Sequence, residues 1–88
     1  NDSFLNYAHA LELQKLGNPL KAIEIIETIV KRDENYLGAY YQLGQLYELI
    51  GEKEKARNAY LQGCTIAQDQ KQLKALSELK QAVLMLDE

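Results

Sequence analysis

The most chemically reactive residue types are few and stand far apart in the sequence. His9 is the only histidine, whereas a metal site needs three or four converging ligands. We expect His9 to lie tucked against a helix, or partly exposed on it, rather than to act as a base or a ligand. Cys64 is the only cysteine and has no adjacent basic residue to lower its pKa, so we expect it to be a small buried side chain.

Two pairs of carboxylates, Asp33 with Glu34 and Glu52 with Glu54, are the remaining candidates for acid–base chemistry or a cation site. Glu52 and Glu54 fit the first turn of a helix, where acidic side chains complement the helix dipole. No glycine-rich phosphate loop, His-Glu-x-x-His motif or calcium loop is present. The sequence therefore predicts no catalytic residue, no cofactor site and no metal site. We expect that the protein is not an enzyme, and chemistry by the lone histidine and cysteine is only a minor alternative.

The composition limits the class of protein. The 88 residues are 47% apolar and 26% charged, which is typical of one globular domain spanning 1–88. No run of about 18 apolar residues is present, so no membrane span is predicted. Acidic residues outnumber basic ones by 13 to 10, and the net charge of −3 disfavours nucleic-acid binding. We expect a reducing, cytoplasmic location, mainly from cysteine usage, because the chain begins at Asn1 without an initiating Met and a removed leader would leave no trace.

The sequence repeats itself at a spacing of 34 residues. This shift superposes identical residues in four pairs, namely Tyr7 with Tyr41, Gly17 with Gly51, Lys21 with Lys55 and Ala22 with Ala56. It also aligns His9 with Leu43, and it aligns three expected helix caps, Asn1, Asn35 and Asp69. Asp69 is further expected to form a capping box with Gln72.

Within each repeat the apolar spacing is helical, and no segment alternates like a strand, so the predicted class is all-α. We predict helices near 2–16, 19–32, 36–50, 53–68 and 70–86. Gly17 and Gly51 are expected to end helices, and Asn18 followed by Pro19 to begin the second one. The expected buried faces comprise Leu13, Leu16, Ala22, Ile23, Ile26, Ile29, Val30, Tyr40, Leu43, Tyr47, Ile50, Ala56, Ala59, Tyr60, Gly63, Cys64, Ala67, Ala75, Leu76, Leu79, Ala82, Val83 and Leu86.

The motif Tyr40-x2-Leu43-Gly44-x2-Tyr47, followed by Ala56-x3-Tyr60, resembles the tetratricopeptide repeat. The resemblance implies a right-handed α–α superhelix of two helix pairs, with repeat one at 3–36 and repeat two at 37–70. A C-terminal capping helix at 70–86 would close the stack, as in short stand-alone bacterial proteins that the whole chain resembles. The resemblance implies the work of a scaffold or adaptor, and it brings no catalytic residues with it.

The same resemblance implies a concave groove lined by the first helix of each repeat. The positions carried over to this sequence are Phe4, Tyr7, Leu11, Gln14, Tyr41, Gln45 and Glu48. The alternative is that Tyr41 packs against the fifth helix and Tyr7 against Tyr41. Some family members hold a C-terminal carboxylate with Lys and Asn, but Tyr7, Leu11 and Gln42 occupy the corresponding positions here. An apolar or aromatic peptide is therefore the expected ligand.

Two functions are compatible with these features. The first is an interaction module whose groove binds a peptide or helix of another protein. The second is a structural self-assembly unit that forms a weak homodimer through the terminal helix. Leu73, Leu84 and Met85 motivate the second, because they fall off the apolar stripe of that helix and are expected to be exposed.

Overall fold

The structure, a computed structural model, describes residues 2–88 and contains five helices with no strand in that range. The helices are α1 (Asp2–Lys15), α2 (Pro19–Arg32), α3 (Leu37–Leu49), α4 (Lys53–Asp69) and α5 (Leu73–Leu86). Each helix packs against the next one in the chain. The all-α class predicted from the sequence is confirmed.

Only one of the expected side-chain caps is formed among the described residues. Asn18 precedes Pro19 and its side-chain oxygen accepts a hydrogen bond from the backbone N–H of Lys21, at 3.4 Å, as predicted. The prediction of a cap by Asn35 is wrong, because the residue before α3 is Tyr36, which makes no side-chain cap bond. The third expected cap, Asn1, lies outside the described residues.

The expected capping box of Asp69 with Gln72 is also wrong. Asp69 is the last residue of α4, and α5 begins at Leu73 rather than near residue 70. Gln72 precedes α5 without a side-chain cap bond. The physical reason is that the chain between the two helices closes a C-terminal turn on α4 before a new helix can start.

The turn after α4 repeats the geometry found after α1 and α3. Gly17 and Gly51 have φ of 82° and 81°, in the left-handed region expected of a glycine that ends a helix. Lys71 takes the same role with φ of 57°. At Lys71 the backbone N–H donates to Gln68 O at 3.1 Å, and the N–H of Gln72 donates to Ala67 O at 2.9 Å. The sequence signal was missed here because the residue is a lysine rather than a glycine.

Most of the expected buried faces are buried, and they form one continuous core. The clear exception is Leu16, which was predicted to be buried and is 76% exposed. Leu16 follows the last residue of α1 and precedes the Gly17 turn, so its side chain has left the packed face of the helix. Leu73, Leu84 and Met85 are exposed, as predicted.

Two glycines allow the helices around the core to approach closely. A Cβ atom on Gly44 of α3 would lie 2.6 Å from Cδ1 of Tyr60 on α4. A Cβ atom on Gly63 of α4 would lie 2.9 Å from Cβ of Tyr40 and 3.0 Å from Cδ2 of Leu79. A Cβ atom at either position would crowd its neighbours, so the two glycines allow the close approach of α4 to α3 and to α5.

Candidate partner-binding groove

Between α3 and α5 the structure has an open cleft of about 530 Å³. On the α3 side it is lined by Tyr41, Gln45 and Glu48, whose spacing of four and then three residues places them on one helix face. All three belong to the groove set inferred from the sequence. The remaining lining residues come from α5 and are Ser77, Glu78, Gln81, Ala82 and Met85.

Below the α3 wall lies the fully buried side chain of Tyr60. Its hydroxyl donates a hydrogen bond to the carboxylate of Glu48 and accepts one from Gln45 Nε2 at 2.9 Å. The Tyr41 ring lies 5.8 Å from the Tyr60 ring, centroid to centroid, at an interplanar angle of 50°. Burial, and next the bond to Glu48, raise the pKa of the Tyr60 hydroxyl above its ordinary value. All three cleft residues of α3 thus contact the buried side chain of Tyr60, two of them through hydrogen bonds.

The predicted groove residues of α1 do not line this cleft. The Tyr7 ring lies 5.5 Å from the Tyr36 ring and is half-buried, and burial raises the pKa of its hydroxyl. The structure thus pairs the ring of Tyr7 with that of Tyr36, and the ring of Tyr41 with that of Tyr60. Phe4, which is 61% exposed, lies on the same helix.

The other two predicted groove residues of α1 lie deeper. Leu11 is half-buried. The side-chain oxygen of Gln14 accepts a hydrogen bond from Gln42 on α3. Gln14 thus links the first helices of the two repeats, and its polar atoms are partly occupied by that bond.

Sequence reasoning missed the contribution of α5 to the cleft. It treated that helix as a cover for the core and assigned the groove to α1 and α3 alone. Glu78, Gln81 and Met85 follow one another at intervals of three and four residues, on a face of α5 next to the apolar stripe that contains Leu79. That periodicity was a signal for a second, outward-facing stripe on α5.

A second cleft, of about 380 Å³, lies between α2 and α4. Its walls carry both signs of charge, including Glu27, Lys31 and Lys55. The hydroxyl of Tyr47 donates to Glu27, and Lys55 Nζ lies 5.8 Å from the centroid of the Tyr47 ring. Internal contacts thus engage Glu27 and Lys55, which carry opposite charges on the two walls of this cleft.

The two residues first considered for catalysis lie apart from both clefts. His9 is exposed on α1, whereas Cys64 is half-buried on α4. Burial raises the pKa of the Cys64 thiol, and Lys80 opposes this shift more weakly. Within residues 2–88, no group of three or more His, Cys, Asp or Glu side chains could hold a metal ion. No helix in the same range is long and apolar enough to cross a membrane.

The family model for the tetratricopeptide repeat matches the chain twice, at residues 5–36 and 37–70. The chain belongs to the tetratricopeptide repeat family. Helices α1 and α2 therefore form the first repeat, α3 and α4 form the second, and α5 is the capping helix of an all-α superhelix. Tetratricopeptide repeats are a non-enzymatic repeat fold that generally mediates interactions between proteins.

Two solved tetratricopeptide repeat structures from Salinibacter ruber are similar to nearly the whole chain. A solution NMR structure of a tetratricopeptide repeat domain protein is 38% identical, with a TM-score of 0.93 over 98% of this chain and 87% of that one. A crystal structure of a tetratricopeptide repeat domain protein from the same organism is also 38% identical, with a TM-score of 0.92 over 99% of this chain and 97% of that one. A comparison with curated proteins found no match.

Proposed function

We propose that this tetratricopeptide repeat protein is an interaction module, a scaffold or adaptor, whose concave groove holds a short segment of another protein. The observation that carries the proposal is the cleft between α3 and α5. The α3 wall of this cleft is formed by Tyr41, Gln45 and Glu48. Apolar residues at these positions could have packed against α5 and closed the space, but the cleft is open. An open cleft with a half-exposed aromatic ring and fixed polar groups is typical of a binding site.

The groove is proposed to continue from the cleft along α1, with Phe4, Tyr7, Leu11 and Gln14 as its outer part. Phe4 offers an exposed ring at the end of α1, and Gln14 joins the two first helices through Gln42.

The domain is proposed to span 1–88 as two repeats, 3–36 and 37–70, with the capping helix after them. With a largest extent of 31 Å, it has room for only a short ligand segment. The interface would then bury less than about 1,200 Å², the size class of transient complexes.

The experiment that tests this proposal is selection of binding peptides followed by mapping. Immobilised protein is used to select from a displayed library of random 12-residue peptides, and a selected peptide is titrated into isotope-labelled protein. The amide resonances of Tyr41, Gln45 and Gln81 are expected to shift most. Selection of no peptide, or shifts confined to the α2–α4 cleft, would overturn the proposal.

A second candidate function is self-assembly into a weak homodimer through α5. It is favoured by the exposure of Leu73, Leu84 and Met85, at 75%, 64% and 58% respectively. Uncovered apolar side chains on a terminal helix favour association with another apolar surface. Sedimentation velocity at tens of micromolar decides between the two functions. A dimer that dissociates on Leu84→Lys supports self-assembly, whereas a monomer at this concentration removes it.

A further inference from the structure

We infer that the α3–α5 cleft selects a peptide segment bearing a lysine or arginine side chain next to an apolar residue. This inference rests on the proposed function and adds the chemistry of the partner. Glu48 contributes a carboxylate from the α3 wall and Glu78 contributes one from the α5 wall. No lysine, arginine or histidine lines the cleft among the described residues.

Within the described part of the chain, the cleft itself contains no basic residue, whereas the adjoining depression, which shares Glu48 and Met85 with it, contains Lys53. The cleft between α2 and α4 contains Lys31 and Lys55, and the outer surface depression of α5 contains Lys80 beside Leu73 and Leu84. Two carboxylates facing one recess repel each other and attract a cation into it. An acidic peptide segment would be repelled by both carboxylates and would find no basic residue in the described lining of the cleft to pair with.

Glu48 is held in place for such contact. Its carboxylate accepts the hydroxyl hydrogen of Tyr60, which is fully buried and also bonded to Gln45. A carboxylate can accept several hydrogen bonds, so the bond to Tyr60 leaves Glu48 able to accept further hydrogen bonds from a ligand. Because the buried tyrosine restricts the rotation of Glu48, less conformational entropy is lost when a cation binds.

The rest of the cleft suits the aliphatic part of a basic side chain. Lysine and arginine place a charged head on a long apolar stem that packs along apolar surfaces. The half-exposed ring of Tyr41 offers its face to the stem or the cation, and Met85 offers a flexible apolar surface on the opposite wall. We place the apolar neighbour of the basic residue against Met85.

The peptide selection described above tests the inference directly. Lysine or arginine is expected in most selected peptides, with an aliphatic or aromatic residue adjacent. The inference is overturned, while the proposed function stands, if selected peptides shift the Tyr41 and Gln45 resonances but carry no excess of basic residues. If nothing is selected, or binding maps elsewhere, the proposed function fails together with the inference.

Charge-neutralising variants give an independent test with a selected peptide. The substitutions Glu48→Gln and Glu78→Gln each remove a negative charge and keep the size of the side chain. Glu48→Gln also keeps an oxygen that can accept the hydrogen bond from the Tyr60 hydroxyl. Each is expected to weaken binding about fivefold, the upper range for an exposed ion pair. Glu24→Gln is the matched control, because Glu24 lies exposed on α2 and its substitution changes the net charge equally.

Affinities are measured by fluorescence anisotropy at 50 mM and 500 mM NaCl, after circular dichroism confirms equal helix content. Wild-type binding is expected to weaken at the higher salt concentration, because ions screen the exposed charges. The salt dependence should be smaller for Glu78→Gln than for Glu24→Gln. Equal affinities for all three variants, or a wild-type affinity that is independent of salt, would contradict the inference.

Discussion

Gly44 of α3 lies directly against the aromatic ring of Tyr60 of α4, with no space for a Cβ atom between them. This contact fixes how near the two helices of the second repeat lie to each other. It also fixes the position of the Tyr60 hydroxyl, which bonds Gln45 and Glu48 at the edge of the groove. A residue required by the packing of the repeat thus determines the geometry of the candidate binding site.

Gly44→Ala is expected to lower the free energy of unfolding by about 1–3 kcal/mol, because the added methyl group would overlap the buried Tyr60 ring. Urea unfolding followed by circular dichroism measures the effect. Gly38→Ala is the control on the same helix, since its Cβ would lie 3.6 Å from the Tyr7 hydroxyl, an ordinary contact. Alanine favours helix, so this control should be neutral or stabilising by up to about 1 kcal/mol. Equal midpoints for the two variants would mean that the packing register described above is wrong.

Lys71→Gly is expected to stabilise the protein by about 0.5–1 kcal/mol. Lys71 has a positive φ, which costs free energy for any residue with a Cβ atom, whereas glycine adopts this conformation readily. Gly51→Lys is the converse change, at a position where an added Cβ meets nothing within 4 Å, and should destabilise by about 1 kcal/mol. Thermal unfolding midpoints of the two variants should therefore move in opposite directions. A shift in the same direction would disprove this account of the turn.

Turns and helix ends could be predicted from the sequence where the residue type strongly favours one backbone conformation. Gly17 and Asn18 with Pro19 marked the first turn correctly, because glycine, an N-cap and proline each favour one conformation there. The turn at Lys71 was missed, because tertiary packing of α5 on α4 imposes a conformation that lysine does not favour locally. Local propensity alone therefore placed the start of α5 too early.

The candidate site was predictable only in part for a similar reason. Tyr41, Gln45 and Glu48 could be found from the repeat register, since it gives the outward face of α3. The facing wall depends on the rotation of α5 about its axis, which Gly63 and Leu79 set by their contact. The sequence of α5 alone does not indicate which helix its polar face will lie opposite.

The stability of the protein should fall in alkaline solution partly through Tyr60. Its pKa is raised in the folded protein by burial and by the bond to Glu48, so the folded state binds the phenolic proton more tightly than the unfolded chain. The resulting stabilisation is complete below the ordinary tyrosine pKa of about 10 and is lost progressively above it. Urea unfolding at pH 8 and pH 11 measures this loss.

Tyr60→Phe provides the comparison that isolates this effect from other alkaline titrations. At pH 8 the variant should be less stable by about 1 kcal/mol, because Glu48 and Gln45 lose a hydrogen-bond partner. Between pH 8 and pH 11 it should lose less stability than the wild type does. An equal loss in both proteins would show that the buried hydroxyl does not contribute to the pH dependence.

The central claim, that Tyr41 belongs to a partner-binding groove rather than to the core, is tested most directly by comparing Tyr41→Ala with Tyr47→Ala. Tyr41 is 38% exposed, whereas Tyr47 is 8% exposed and donates to Glu27. Affinity for a selected peptide and the free energy of unfolding are measured for both variants. Tyr41→Ala is predicted to bind at least about tenfold more weakly, as loss of an aromatic anchor does, while losing less stability than Tyr47→Ala. Full binding by Tyr41→Ala, or unfolding as severe as that of Tyr47→Ala, would contradict the account.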